Sequence, residues 1–149
     1  MPIKPENRNR YPANWKQIRA SILDRAGHKC EQCNAPNRTL IARGVGSDDG
    51  TYMLADGGDV FNSETGERLG LARGGEYETK GLIEVVLTIA HLDHVPENCE
   101  PANLKALCQR CHLRYDFEHH KANAASTRRA RRAMGDLFDR AIEAAKGAK

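Results

Sequence analysis

Four of the five cysteines form two Cys-x-x-Cys pairs, Cys30 with Cys33 and Cys108 with Cys111. In a tight turn this spacing lets both sulfurs of a pair face one ion, and four thiolates complete the tetrahedral shell of Zn2+. A complete shell leaves no position for a substrate, so these residues predict a structural zinc site rather than a catalytic one. Only 5% of the chain is aromatic, and a core this small needs such reinforcement.

A second group of reactive side chains lies between His91 and His112. An apolar run ends at His91, Asn103 follows twelve residues later, and His112 comes directly after Cys111. A zinc ion would hold the start of the His112 helix beside the first cysteine pair. The strand that ends at His91 would pair with a strand at 104–107. The pattern therefore predicts that His91, Asn103 and His112 line one small polar cleft.

The order of these three residues around a Cys-x-x-Cys pair resembles the motif of the HNH endonuclease family. Residues 103–112 read NLKALCQRCH, which is close to the family's N-L-x-x-L-C-x-x-C-H ending. The resemblance covers residues 30–115 without the glycine-rich insertion between them. It implies an α+β fold with a zinc-stapled ββα-metal (His-Me finger) core of the phage or mobile-element type, and metal-dependent hydrolysis of DNA by nicking or double-strand cleavage.

The resemblance also implies a role for each residue of the cleft. His91, at the end of the first strand, would be the general base that activates water, and Asn103 would orient it or hold the loop. His112 would bind one catalytic divalent cation, which is Mg2+, Mn2+ or another transition metal. A neutral imidazole with a pKa of about 6.5 suits the base, and a cation offsets the charge that develops on the scissile phosphate.

The residue before the base departs from the family pattern. The family places Asp or His there as a second metal ligand, whereas this chain has Ala90 before His91. In one alignment His91 is the base, and Asp93 or His94 supplies the missing ligand. In the other, Asp93-His94-Val95-Pro96 corresponds to the family's D-H-I-x-P, so Asp93 is the ligand and His94 the base. The spacing to Asn103 favours the first alignment, and both stay open here.

The helix that follows Cys111 offers further candidates. His112, Asp116 and then His119 or His120 recur about every four residues, so they share one helix face. His120 could extend the catalytic metal site and replace the ligand missing at Ala90. Further along the helix, arginines predicted to bind DNA phosphates without sequence preference form a cluster. They are Arg128, Arg129, Arg131 and Arg132.

Charge is distributed unevenly along the chain. Residues 1–38 carry 8 Lys and Arg against 3 Asp and Glu, residues 39–113 carry 6 against 12, and residues 114–149 carry 9 against 5. Basic ends around an acidic middle suit a protein whose two ends bind DNA and whose central part binds cations. A catalytically inactive zinc-ribbon module that binds nucleic acid, having lost nuclease function through Ala90, is the alternative.

These residues must be positioned by a small set of elements. At 149 residues the chain suits one domain of the α+β class, with Trp15 and Tyr115 in its core. The predicted order is an arm at 1–13, a helix from Asn14 to about Ala26, a β insertion at 38–80, a buried strand from Leu82 to Ala90, a strand at 104–107, a helix starting near Gln109 or Cys111, and a basic C-terminal helix at 122–149.

The compartment and the partners are also expectations. No apolar run approaches the roughly 20 residues that cross a bilayer, no signal peptide is apparent, and cysteines in metal-type pairs favour a reducing environment. We therefore expect a cytoplasmic protein, in the host cell if it is phage-encoded. DNA is the expected partner, without membrane or small-molecule cofactor, and the sequence does not indicate the oligomeric state.

Overall fold

The structure, a computed structural model, describes residues 9–73, 77 and 81–146, with side chains described up to residue 134. The chain forms two compact units, Met1–His112 and Leu113–Lys149. The described residues of the first form helix α1 (Trp15–Arg25), seven strands and the start of helix α2 (Gln109–Lys146). The described part of the second is the rest of α2. None of the described helices is long and apolar enough to cross a membrane.

Helix α1 follows the predicted position closely, although its first turn is capped differently. Asn14 occupies the N-cap, yet its side chain makes no capping hydrogen bond. Its carbonyl oxygen instead accepts from the backbone N–H groups of Gln17 and Ile18. Gly27, with φ of +57°, follows the helix in the left-handed conformation that glycine adopts without steric cost. The helix buries Ile22 and Leu23.

Five antiparallel strands form the larger sheet. They are β1 (Leu40–Arg43), β2 (Thr51–Leu54), β3 (Asp59–Asn62), β4 (Arg68–Leu71) and β5 (Ile83–Glu84). Their order in the sheet is β4-β3-β2-β1-β5. Strands β1 to β4 lie within the predicted β insertion at 38–80, and β5 extends the sheet beyond it.

The second sheet is a hairpin that leads into helix α2. Strand β6 (Thr88–His91) pairs antiparallel with β7 (Leu104–Leu107), so that Thr88 lies opposite Leu107 and His91 opposite Leu104. Helix α2 begins two residues after β7 ends. The molecule is thus an α+β protein with small antiparallel sheets and two helices, as predicted at this level.

The apolar run at 82–90 forms two strands instead of the single predicted one. It contributes β5 to the large sheet and β6 to the hairpin. Between these strands, backbone N–H groups donate hydrogen bonds to side chains. The N–H of Val86 donates to Oε1 of Gln109 at 3.1 Å, and the N–H of Leu87 donates to Oδ1 of Asn37 at 3.0 Å. Because these side chains satisfy the backbone, the chain can leave one sheet and enter the other without losing hydrogen bonds.

Helix α2 is also longer than predicted. The sequence suggested one helix after the second cysteine pair and a separate basic one at 122–149, but a single helix runs through Gln109–Lys146. The reason is that neither glycine nor proline occurs between 109 and 134. Tyr115, predicted to lie in the core, is 42% exposed on this helix, so that prediction is wrong. Trp15 packs against the edge of the core as a partly buried residue.

Candidate functional site

The four paired cysteines meet at one point in the core. Their sulfurs all lie within 4.8 Å of one another, and all four residues are buried. Sγ of Cys33 is 3.7 Å from Sγ of Cys108. Tetrahedral zinc with bonds of about 2.3 Å places its sulfurs about 3.8 Å apart, whereas a disulfide needs about 2.05 Å. The cluster therefore fits a structural metal ion, and the prediction that these residues could hold one is confirmed.

Backbone hydrogen bonds position the first cysteine pair against strand β7. The N–H of Asn34 donates to the carbonyl of Cys30 across the turn, and Asn34 itself adopts the left-handed conformation with φ of +57°. The N–H of Glu31 donates to the carbonyl of Ala106 at 2.9 Å. The N–H of Cys108 donates to Sγ of Cys30 at 3.3 Å. This last bond delocalises thiolate charge, as is usual around zinc sulfurs.

The short distances between the sulfurs shift the pKa values of the cysteine thiols. Hydrogen bonds from Cys111, Cys30 and Cys33 lower the pKa of the Cys108 thiol. The hydrogen bond to Cys108 in turn raises the pKa of the Cys111 thiol. Four sulfurs this close cannot all be thiolates unless a cation compensates their charge. A bound Zn2+ would supply that charge.

An ion pair that no sequence pattern indicated connects helix α1 to the site. The Arg25 guanidinium donates to both carboxylate oxygens of Glu31 at 2.9 and 3.0 Å, and to the carbonyls of Pro101 and Leu104. Glu31 also accepts the N–H of Ala106 at 2.6 Å. The two side chains thereby connect α1, the first cysteine turn and the edge of β7.

The loop between β6 and β7 is organised around the Asp93 carboxylate. It accepts hydrogen bonds from Nδ2 of Asn103 at 2.9 Å, from the N–H of Val95 at 2.9 Å and from Nδ2 of Asn98 at 2.6 Å. In addition, Oδ1 of Asn103 accepts a hydrogen bond from the backbone N–H of Asp93. Asn103 thus holds the loop. Three of the roughly four acceptor positions of Asp93 are used within it.

These hydrogen bonds determine how the stability of the loop depends on pH. The bond from Asn103, followed by the one from Val95, lowers the pKa of Asp93 to about 2. A depressed carboxyl pKa stabilises the folded loop above the unfolded pKa of about 3.9, and this contribution is lost as pH falls through about 2. We therefore expect the loop to stay ordered at pH 4.

An NMR titration of the Asp93 carboxyl carbon measures this pKa directly. Asn103→Ala should move the midpoint upward, because the first hydrogen bond is removed, while Asn62→Ala in the large sheet should leave it in place. A midpoint near 3.9 in the unsubstituted protein would contradict the arrangement.

His91 lies at the end of β6 beneath two aromatic rings. Its imidazole stacks on Trp15, with ring centroids 5.3 Å apart and planes at 22°, and meets the edge of Tyr11 at 5.8 Å. Only 9% of the residue is exposed. Burial lowers the pKa of His91 below its usual value, so the ring is neutral at pH 7. Sequence reasoning placed Trp15 in the core and missed this contact, because nothing local links residues 76 positions apart.

An exposed ion pair fastens the N-terminal segment to the same loop. The Arg10 guanidinium donates to both carboxylate oxygens of Glu97, at 2.6 and 2.9 Å. Arg10 and Tyr11 belong to the predicted arm, whose first eight residues lie outside the described part of the chain. Residues 10 to 15 therefore cover His91 as a structured segment. We call them the covering segment.

His112 lies on the first turn of α2, facing β6. Its Nδ1 is 2.6 Å from Oγ1 of Thr88, which is three residues before His91 on the same strand. Charge on His112 would also lower the pKa of His91, although burial is the largest cause and the carboxylates of Asp93 and Glu97 act in the opposite direction. His91 and Asn103 therefore lie at the loop end of the hairpin, whereas His112 contacts Thr88, at the other end of β6.

His94 and the more distant candidates are placed differently. His94 is half-buried in the loop with φ of +58°, and its N–H donates to the carbonyl of His91 at 3.1 Å. His120 belongs to the second unit, where its Nε2 is 3.7 Å from the Asp116 carboxylate. The arginines proposed to contact DNA are all exposed on α2. They are Arg128, Arg129, Arg131 and Arg132.

A preformed second metal cluster is not seen among the residues that the structure describes. Within those residues, the four cysteines are the only group of three or more His, Cys, Asp or Glu side chains that could share an ion. The assignment of a catalytic cation to His112, Asp93 and His120 therefore stays a prediction. It requires ligands from the substrate or from water to complete the shell.

Comparison of the chain with protein-family models, with curated proteins and with solved structures finds no match. Any function must therefore be argued from the residues themselves. The two features that bear on function are the cysteine centre and the polar side chains on the β6–β7 hairpin and the first turn of α2.

Proposed function

We propose that the protein is a metal-dependent endonuclease of the HNH type, which hydrolyses DNA phosphodiester bonds. The observation that supports this proposal is a β hairpin followed directly by a helix, with the three candidate side chains on or beside these elements. His91 ends β6, Asn103 immediately precedes β7, and His112 lies in the first turn of α2. Such a nuclease requires a ββα scaffold, and a structural metal ion would stabilise it.

The contacts of these residues suit the roles proposed for them. Asn103 holds the loop through Asp93, so its role is positional. The hydrogen bond between Thr88 and His112 fixes the imidazole of His112, as second contacts of metal-binding histidines do. A divalent cation bound by His112 would stabilise the charge on the scissile phosphate and the departing 3′ oxygen. The covering segment must move before His91 reaches a substrate.

The base takes a proton from the attacking water, which then attacks phosphorus in line with the leaving oxygen. A histidine can do this only when its ring is neutral. The buried His91 meets that condition at pH 7 because its pKa is lowered. His94 is the competing base, since it is less buried and follows the well-held Asp93.

The exposed arginines of α2 would bind the DNA backbone. Contacts of this kind release counterions, so affinity should fall steeply with salt and depend little on sequence. These residues would add affinity without entering the chemistry.

A second function, that of an inactive nucleic-acid-binding module, is favoured by one specific observation. Ala90 is fully buried in the position where the nuclease family carries a metal ligand. The Asp93 carboxylate already accepts three hydrogen bonds from within the loop. A chain with these two features could retain the zinc-stapled fold and the basic helix while lacking a complete catalytic metal site.

A plasmid assay separates the two functions. With Mg2+ or Mn2+, the nuclease should convert supercoiled DNA to nicked or linear forms, and EDTA should stop the reaction. Intact plasmid together with a salt-sensitive gel shift would establish the binding module instead. Absence of both cleavage and binding would refute both functions.

A further inference from the structure

The large sheet, whose first four strands form the predicted β insertion, contacts the cysteine centre. Tyr52 of β2 is completely buried, and its hydroxyl donates to the carbonyl of Cys33 at 2.9 Å. Its ring also stacks on Phe61 of β3. The tyrosine therefore links the middle of the sheet to the turn that carries the first cysteine pair.

Arg43 of β1 makes the most direct approach to the sulfurs. Its Nη2 is 4.0 Å from Sγ of Cys108, and its Nη1 is 3.4 Å from Oγ of the buried Ser63. The guanidinium carbon lies 5.7 Å from the centroid of the Tyr52 ring. A half-buried cation is thus held between an aromatic face, a hydroxyl and a sulfur ligand.

A tight turn of the sheet closes over the same cysteine loop. Nε2 of Gln32 donates to the carbonyl of Glu64 at 3.1 Å. Gly66 has φ of +73°, and a Cβ at this position would lie 2.5 Å from Nδ2 of Asn34 and 2.8 Å from the carbonyl carbon of Cys33. Only glycine fits here, so the sheet and the cysteine turn are packed backbone against backbone.

Charge explains what an arginine would do at this place. Zn2+ with four thiolates carries a net charge of −2, and burying that charge is unfavourable unless other groups offset it. Hydrogen-bond donors around zinc ligands strengthen metal binding, and their loss typically weakens it 10- to 100-fold. Arg43 is a cationic side chain with a nitrogen at hydrogen-bonding distance from one of these sulfurs.

We propose that Arg43 is a positioning residue of the cysteine metal centre, and that the large sheet serves to retain the ion there. Arg43 offsets the thiolate charge, and Tyr52 fixes the turn of the first cysteine pair. This inference does not depend on nuclease activity, because it concerns the cysteine centre alone. It gives the insertion a chemical role.

Cobalt provides the readout, since Co2+ bound by four thiolates has a visible absorption spectrum. The full-length protein would be titrated with Co2+ and then with Zn2+ in the presence of a competing chelator. Arg43→Met should bind the metal on the order of 10-fold more weakly and release it faster to the chelator. Arg43→Lys should recover part of the difference, because it keeps the charge without the planar fork.

Arg68→Met is the matched control. Arg68 lies on β4 of the same sheet, where it pairs with Asp59 at the surface, so its loss should leave both affinity and release rate unchanged. Tyr52→Phe should speed release without changing the net charge. Circular dichroism at saturating metal establishes that each variant is folded.

Equal affinity and release rate in Arg43→Met and the unsubstituted protein would overturn the proposal. Where Arg43→Met fails to fold, Arg43→Lys and Tyr52→Phe decide the matter. If both retain the metal as the unsubstituted protein does, the sheet has no role in holding it.

Discussion

Cys108→Ser should unfold the protein under conditions in which the unsubstituted chain is stable. The four cysteines belong to the main core cluster, which also contains buried residues of α1 and of both sheets. Zinc binding by such sites contributes about 10–16 kcal/mol to folding, whereas a whole domain is stable by only about 5–15 kcal/mol. Losing one ligand, and with it most of this contribution, should therefore remove the cooperative thermal transition in circular dichroism.

Cys99→Ser is the control for the loss of a thiol. Cys99 is outside the cluster and only half-buried, so this variant should melt close to the unsubstituted protein. Treating the unsubstituted protein with a zinc chelator should reproduce the Cys108→Ser result. An unchanged melting temperature after complete metal removal would show that the cysteines do not act as a structural staple.

His91→Asn should lower plasmid cleavage by about 10²- to 10⁴-fold, which is the usual contribution of a positioned general base. DNA binding and fold should persist, because the base acts on the water and not on the DNA backbone. Asparagine is preferred to alanine here, since it keeps more of the volume that packs under Trp15 and leaves a smaller cavity. Initial rates of nicking and gel-shift affinities provide the two measurements.

His94→Asn tests the competing alignment in the same assay. Full activity in the His91 variant and loss in the His94 variant would reverse the assignment of the base. His28→Asn is the matched control, because His28 is exposed, pairs with Asp24 at the surface, and has a positive φ that asparagine tolerates. It should cleave at the normal rate.

The cysteine site could be predicted from the sequence because its chemistry is local. A Cys-x-x-Cys pair requires a turn, and two pairs require that their turns meet, so the spacing alone indicated which residues would come together. The position of α1 and the pairing of β6 with β7 followed from similar short-range patterns. The burial of His91 under Trp15 could not be foreseen, since the two residues meet only through the tertiary fold.

The errors in element boundaries have a common cause. The apolar run at 82–90 looked like one strand, because hydrophobicity does not reveal that Asn37 and Gln109 satisfy the backbone in its middle. Helix α2 was divided in two because its polar stretch lacks a clear apolar face, although nothing in it breaks a helix. Likewise, the role of Arg43 beside Cys108 depends on strand register, which a charge pattern does not contain.

The covering segment sets how often His91 is available. With 9% of the residue exposed, the imidazole can meet a substrate only in the fraction of molecules in which Trp15 and Tyr11 have moved aside. Under the proposed mechanism, an observed cleavage rate is the intrinsic rate multiplied by that fraction. Modest nicking in vitro would thus measure the opening equilibrium as much as the chemistry. A tag or fusion partner attached close to Arg10 would change it.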